Sequence, residues 1–281
     1  MRSIVGNERT GAVTHARASY LCAVAIAGAL GLASPLVAQV LPALIAPRGA
    51  TRPFYIGERL EYHVRVSGVG MSGHGAMWVD GPEVVRGVET YVLHFGFKAH
   101  VGPVRVSDAT QSWLDPIRMA SLRFVKKERH PFSSSDEDVA LYPDEKRWSA
   151  ADGDGGASTS DAPLDELSFI YFLRTVPLAD GAEYRFDRHF DASRNPTVVR
   201  VVRREILTTR AGTFATVLVE MRVKDPARYH GEGVIRIHFT DDERRLPVRI
   251  ESAIPRAGTA VMTLDAIPTA APAPLAPRPD A

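Results

Sequence analysis

Between residues 60 and 266 apolar side chains recur at every second position, the period of a strand with one buried face. Leu60, Tyr62, Val64 and Val66 face one way, and Glu61, His63 and Arg65 the other. Tyr91, Leu93, Phe95 and Phe97 repeat the pattern against Val92, His94 and Lys98. Phe214, Thr216 and Leu218 alternate with Ala215, Val217, Val219 and Met221, so that strand is apolar on both faces. Val234, Arg236 and His238 oppose Ile235, Ile237 and Phe239. Further strands are expected at 74–80, 104–114, 119–129, 136–142, 183–190, 197–209, 246–254 and 259–266. Gaps such as Asp80-Gly81-Pro82 and Arg210-Ala211-Gly212 supply turns. About a dozen strands without intervening helices argue for an antiparallel sheet and against βαβ units.

One segment breaks the rhythm. Pro163-Leu164-Asp165-Glu166 puts a proline and two acids where a first helical turn favours them. Leu167, Ile170, Tyr171 and Arg174 follow at helical spacing, and Phe169, Phe172 and Leu173 make the segment apolar nearly all round. A helix at about 164–175, stopped before Pro177, must therefore be buried on more than one side. The expected fold is all-β: a strongly curved sheet, or an open or half β-barrel, holding one buried helix.

The two ends read differently. Arg2, Arg9 and Arg17 precede the apolar run Tyr20–Leu32, which has the length of a signal-peptide core and is short for a membrane span. Small residues follow, with cleavage expected after Ala38; an uncleaved anchor extended by Val37–Ala46 is the alternative. Cys22, the one cysteine, lies inside the apolar run after Leu21, so it reads as leader and not as a lipidation site. Removing Arg2, Arg9, Arg17 and Glu8 from 34 basic and 33 acidic residues leaves 31 and 32, with no cysteine for disulfides or zinc. Residues 268–281 are Ala/Pro-rich and too poor in apolar bulk to fold. The expected organisation is a signal peptide at 1–38, a linker at 39–51, one β-rich domain at 52–267 and a disordered tail at 268–281.

Four stretches resemble a bacterial exported family known only as domain-of-unknown-function family 3108. They are Pro53–Tyr62 (PFYIGERLEY), Leu167–Arg174 (LSFIYFLR), Ala211–Phe214 (AGTF) and Thr240–Ile250 (TDDERRLPVRI). The similarity covers about residues 52–266 and departs mainly between Arg129 and Ala162, a polar insertion-like stretch expected to form a long hairpin with a mobile tip. The resemblance implies an envelope location and assigns no catalytic residue. In general design the family is similar to periplasmic curved-sheet proteins that shelter lipid chains, a likeness of architecture alone.

No motif points to catalysis, a cofactor or a metal. Ser72-Gly73-His74-Gly75 sets a hydroxyl near an imidazole but reads as a hairpin turn. His63, His94 and His238 lie on strands without ligand spacing, and Asp152-Gly153-Asp154 begins a calcium-like loop that meets Pro163 where a glutamate is needed. Asp241-Asp242-Glu243-Arg244-Arg245 reads as a charged turn, and Gly68–Gly73 matches a phosphate-loop pattern without a following helix. Arg200, Arg203 and Arg204, and Lys126, Lys127 and Arg129, read as solvated strand faces and lack the aromatics that nucleic-acid binding uses.

What remains is an excess of large aromatics. Tyr62, Trp78, Tyr91, Phe95, Trp113, Phe124, Phe169, Phe172 and Phe214 are expected to line one interior, as packed core or as the wall of a ligand cavity. The helix decides between a filled hollow and a lidded one. The sequence thus favours a non-enzymatic envelope protein that binds lipid or another amphiphile, such as a lipid-linked glycan, on its concave face. An envelope-assembly protein with a protein partner is the alternative, and a hydrolase is third. Nucleic acid, cofactors and a permanent membrane span after cleavage are not expected.

Overall fold

The computed structural model describes residues 52–266 except 69, 103, 131–132, 226–230 and 255–257. The leader, linker and tail named above lie outside the described residues. Among the described residues fourteen strands form one antiparallel sheet. They are β1 (Arg59–Val66), β2 (Met71–Val85), β3 (Val88–Val101), β4 (Val104–Asp115), β5 (Ala120–His130), β6 (Ser133–Tyr142), β7 (Arg147–Ala150), β8 (Gly155–Ala157), β9 (Glu183–Phe186), β10 (Thr197–Thr209), β11 (Gly212–Asp225), β12 (Gly231–Thr240), β13 (Pro247–Ile254) and β14 (Gly258–Ala266). Their spatial order is β8-β7-β6-β5-β4-β3-β2-β1-β14-β13-β12-β11-β10-β9. The first and last strands therefore pair in the middle, while β8 and β9, consecutive in sequence, stand at opposite edges.

A twisted sheet of this width curls, and this one curls without closing. Chain leaving β8 must cross the open side to reach β9, and helix α1 (Glu166–Leu173) lies on that crossing. The segments flanking the helix pair with the chain that follows β9. Leu164 N–H donates to the Arg188 carbonyl and Phe190 N–H to the Leu164 carbonyl, while the Ser158 hydroxyl donates to the Phe190 carbonyl.

The expected open barrel with one buried helix is what forms. Asp165 caps α1 by accepting from Leu167 and Ser168 N–H, and the Ser168 hydroxyl accepts in return from Asp165 N–H. Leu167, Phe169, Tyr171, Phe172 and Leu173 are all buried, so the helix is inside the curl, among Leu60, Tyr62, Val79, Leu93, Val219 and Phe239.

Three local expectations change. β9 stops at Phe186, because the following residues turn away to meet Leu164. The polar stretch 129–162 is three consecutive strands, not one long hairpin, and Trp148 packs edge-on against Phe190 at 5.4 Å. Ser72–Gly75 is not a turn but part of β2. A Cβ on Gly73 would lie 2.2 Å from the Lys98 carbonyl oxygen and 2.6 Å from the Ala99 Cβ, so glycine is required there by the close approach of β3.

At the C-terminal end of α1 a buried ion pair ties distant segments together. Arg174 is 3% exposed and Glu58 1%. The guanidinium donates to both Glu58 oxygens at 2.6 and 2.8 Å. It also donates to the carbonyls of Pro53 at 2.5 Å and Arg244 at 3.0 Å. Phe54 and Tyr171 lie 5.5 Å from it as ring neighbours. Deleting one partner of such a pair strands the other charge in the core. Arg174→Met should therefore lower stability by about 3–5 kcal/mol, read from urea unfolding. A loss under about 1 kcal/mol would show that the pair does not hold the fold.

Candidate ligand cavity

α1 fills only part of the hollow. Beside it the inner faces of the strands line a cavity of about 230 Å³ that opens to solvent. Met77, Phe95, Phe169, Ile170, Met221 and Met262 supply its apolar wall, drawn from β2, β3, α1, β11 and β14. Three methionines make that wall adaptable, since an unbranched thioether can repack around occupants of different shape.

The polar part of the lining is a chain of ion pairs. Lys126 reaches Glu166 at 3.3 Å, and Glu166 reaches Arg194 at 3.1 Å. Arg194 in turn reaches Asp225 at 3.4 Å, so the chain runs from β5 through α1 and the 3₁₀ turn Ala192–Arg194 to β11. Lys126 also approaches Glu128 at 3.4 Å and Glu137 at 3.9 Å. Burial raises the Glu137 carboxyl above its ordinary pKa, with Lys126 opposing the shift. Lys126 thus departs from the solvated face expected of its cluster: its side chain is 11% exposed and turned inward. Glu166 is 36% exposed and Arg194 25%, which places the chain where the cavity meets solvent.

His189 completes this region. It is 9% exposed, and the Asn195 side chain holds its backbone on both sides, Oδ1 accepting from the His189 N–H and Nδ2 donating to the His189 carbonyl.

The model of the family described as "protein of unknown function (DUF3108)" matches residues 61–265. The chain belongs to this family. No curated protein matches it. Among solved structures, the chain is similar to a beta-barrel-like protein of domain of unknown function DUF1849 from Brucella abortus. The TM-score is 0.54 at 13% identity, over 78% of this chain and 100% of that one, a likeness of fold alone. It also matches a putative lipoprotein from Parabacteroides distasonis with TM-score 0.33 at 11% identity, over 77% of this chain and 98% of that one. A putative exported protein with YmcC-like fold from Bacteroides fragilis gives 0.30 at 11% identity, over 76% and 96%.

In this DUF3108 chain the nine aromatics divide. Phe95 and Phe169 line the cavity. Tyr62, Tyr91 and Phe172 belong to the packed core, where Tyr62 donates its hydroxyl to the Pro247 carbonyl. Phe124 builds a second small cluster with Val139, Leu141 and Phe190. Phe214 sits at the β10–β11 hairpin end, half-buried against the core. Trp78 and Trp113 do not face the interior. Trp78 falls between inward Met77 and Val79, so strand alternation turns it outward, stacked on His94 with its indole N–H on Asp80. Trp113 likewise alternates with inward Ser112 and Leu114, donates to Glu83 and lies under Arg123.

The other candidates lie outside the cavity. His63 and His238 share a cross-strand row but are separated by Thr263 and Arg249, while His94 lies against Trp78. Among the described residues no three metal-ligating side chains converge. Ser72 and His74 are exposed on the outer face. Asp241–Arg245 is the β12–β13 turn, with Asp242 accepting from Thr240, Arg244 and Arg245. Sequence reading missed His189 and Arg194, which lie in the bend between β9 and β10. Asn195, accepting His189 N–H and donating to its carbonyl, is the local signal of a built turn.

Asp165 binds the helix to the sheet as well as capping it. Its Oδ2 accepts from the Ser112 and Ser121 hydroxyls, both at 2.5 Å. Burial raises its pKa above the ordinary 3.8, against the lowering effect of the hydroxyls. A carboxyl with a raised folded pKa stabilises the fold below the unfolded value and loses that contribution as pH rises through the folded one. Asp165→Asn has no such loss. Its unfolding free energy relative to wild type should improve between about pH 4 and neutrality, and a gap constant with pH would contradict the buried carboxyl.

Proposed function

We propose that the protein is an exported envelope binder that takes the apolar part of an amphiphile into the cavity beside α1. The observation that carries this reading is a hollow whose inner wall is thioether and hydrocarbon and whose solvent side is charged. A solid core would leave no such gap, since interiors normally pack to crystal-like density. Export rests on the basic, apolar and small-residue order of residues 2–38. Among the described residues no helix is long and apolar enough to cross a membrane. Binding without chemistry is favoured because the hydroxyl–imidazole pair Ser72 and His74 lies on the outer face, away from the cavity.

Native mass spectrometry of the mature domain, purified from envelope fractions, should show an adduct in the mass range of a lipid. Met221→Trp, which puts a large ring where the thioether lines the cavity, should remove the adduct while the domain stays folded. Wild type that remains free of ligand after incubation with envelope lipid extract would overturn the reading. Capture of a protein partner in its place would favour the envelope-assembly alternative.

A further inference from the structure

His189 carries a hydrogen-bond donor that the protein leaves unmatched. Its Nδ1 accepts from the Asp191 N–H at 3.1 Å. Burial, aided by the nearby Arg194, pushes the imidazole pKa down to about 4, so the ring is neutral at physiological pH. A neutral imidazole that accepts at Nδ1 holds its proton on Nε2. That Nε2 is buried and has no hydrogen-bond partner. A buried N–H without an acceptor costs on the order of 1–3 kcal/mol, which an acceptor offered to it by an occupant of the cavity would recover. His189 lines the cavity.

The charges around it restrict what supplies the acceptor. Asp108, Glu128, Glu166 and Asp225 line the same cavity, and Glu137 and Asp191 stand behind them. Against these are Lys126, Arg194 and Lys224. Lys126 and Arg194 are each shared among carboxylates, and Lys224 donates to the Asn195 carbonyl. An anionic head would meet more repulsion than attraction there. A cationic head free of oxygen would leave the His189 donor unmatched.

We propose that the bound amphiphile presents an uncharged oxygen acceptor, an ester or amide carbonyl or a hydroxyl, to His189 Nε2–H. This makes His189 a specificity residue. The inference rests on the cavity reading above and adds the head-group class to it.

The test uses delipidated mature protein and four probes of one chain length: decanoylglycerol, decanoate, decyltrimethylammonium and decane. Wild type should prefer decanoylglycerol. His189→Phe should weaken it about tenfold, the worth of one buried hydrogen bond, and change decane less than about twofold. His189→Gln, which restores an N–H donor, should recover part of the loss. In wild type labelled with ¹⁵N at histidine, decanoylglycerol should shift the His189 Nε2–H resonance and decane should not. Equal weakening of decanoylglycerol and decane by His189→Phe, preference for decanoate, or an unmoved Nε2–H resonance would overturn the inference and leave the cavity reading standing. Binding of no probe to wild type would overturn both.

Discussion

The ion pair between Glu58 and Arg174 is the contact on which the arrangement of this protein depends. Two charges withdrawn from water are costly, and they are tolerated here because the guanidinium satisfies both carboxylate oxygens and two backbone carbonyls. The carbonyls belong to Pro53, ahead of β1, and to Arg244, in the turn between β12 and β13. Three of the four stretches that carry the family resemblance thus meet at one guanidinium. The resemblance therefore marks a structural joint: opening segment, helix end and closing turn are held in one register. A hydrophobic core alone specifies such a junction less sharply, because apolar contacts lack direction.

From that joint the cavity follows. The strand order leaves β8 and β9 at opposite edges, so the chain between them has to cross the open side. Asp165 anchors the start of the crossing to Ser112 and Ser121 on β4 and β5, and Arg174 anchors its end. Between the two anchors lie only eight helical residues, too few to occupy the whole hollow of a fourteen-stranded curl. The space left beside the helix is the cavity. Its adaptable methionine wall and charged solvent side are the consequence of which residues face that remainder.

Much of this was legible from the residues. Alternation marked most strands, and the all-round apolar run at 167–173 marked a buried helix. Alternation also places Trp78 and Trp113 outward, each between inward neighbours, and their large rings are covered on the outer face, where His94 and Arg123 shield them. β7 and β8 were missed because they are short and polar and are held by pairing to β6 rather than by apolar content. The polar side of the cavity was not legible at all. Lys126, Glu166, Arg194 and Asp225 span a hundred residues of sequence, and each alone reads as an ordinary surface charge. Only the curl of the sheet brings them into one chain.

The central claim, that the space beside α1 takes up an acyl chain, is tested most directly by methyl NMR. Protein labelled with ¹³C at the methionine methyls is saturated with an unlabelled amphiphile. Met77, Met221 and Met262 line the cavity, whereas Met119 belongs to the packed core without lining it. The account predicts intermolecular nuclear Overhauser effects from the acyl chain to the first three methyls and none to Met119. A saturated complex with no contact to those three methyls would contradict it.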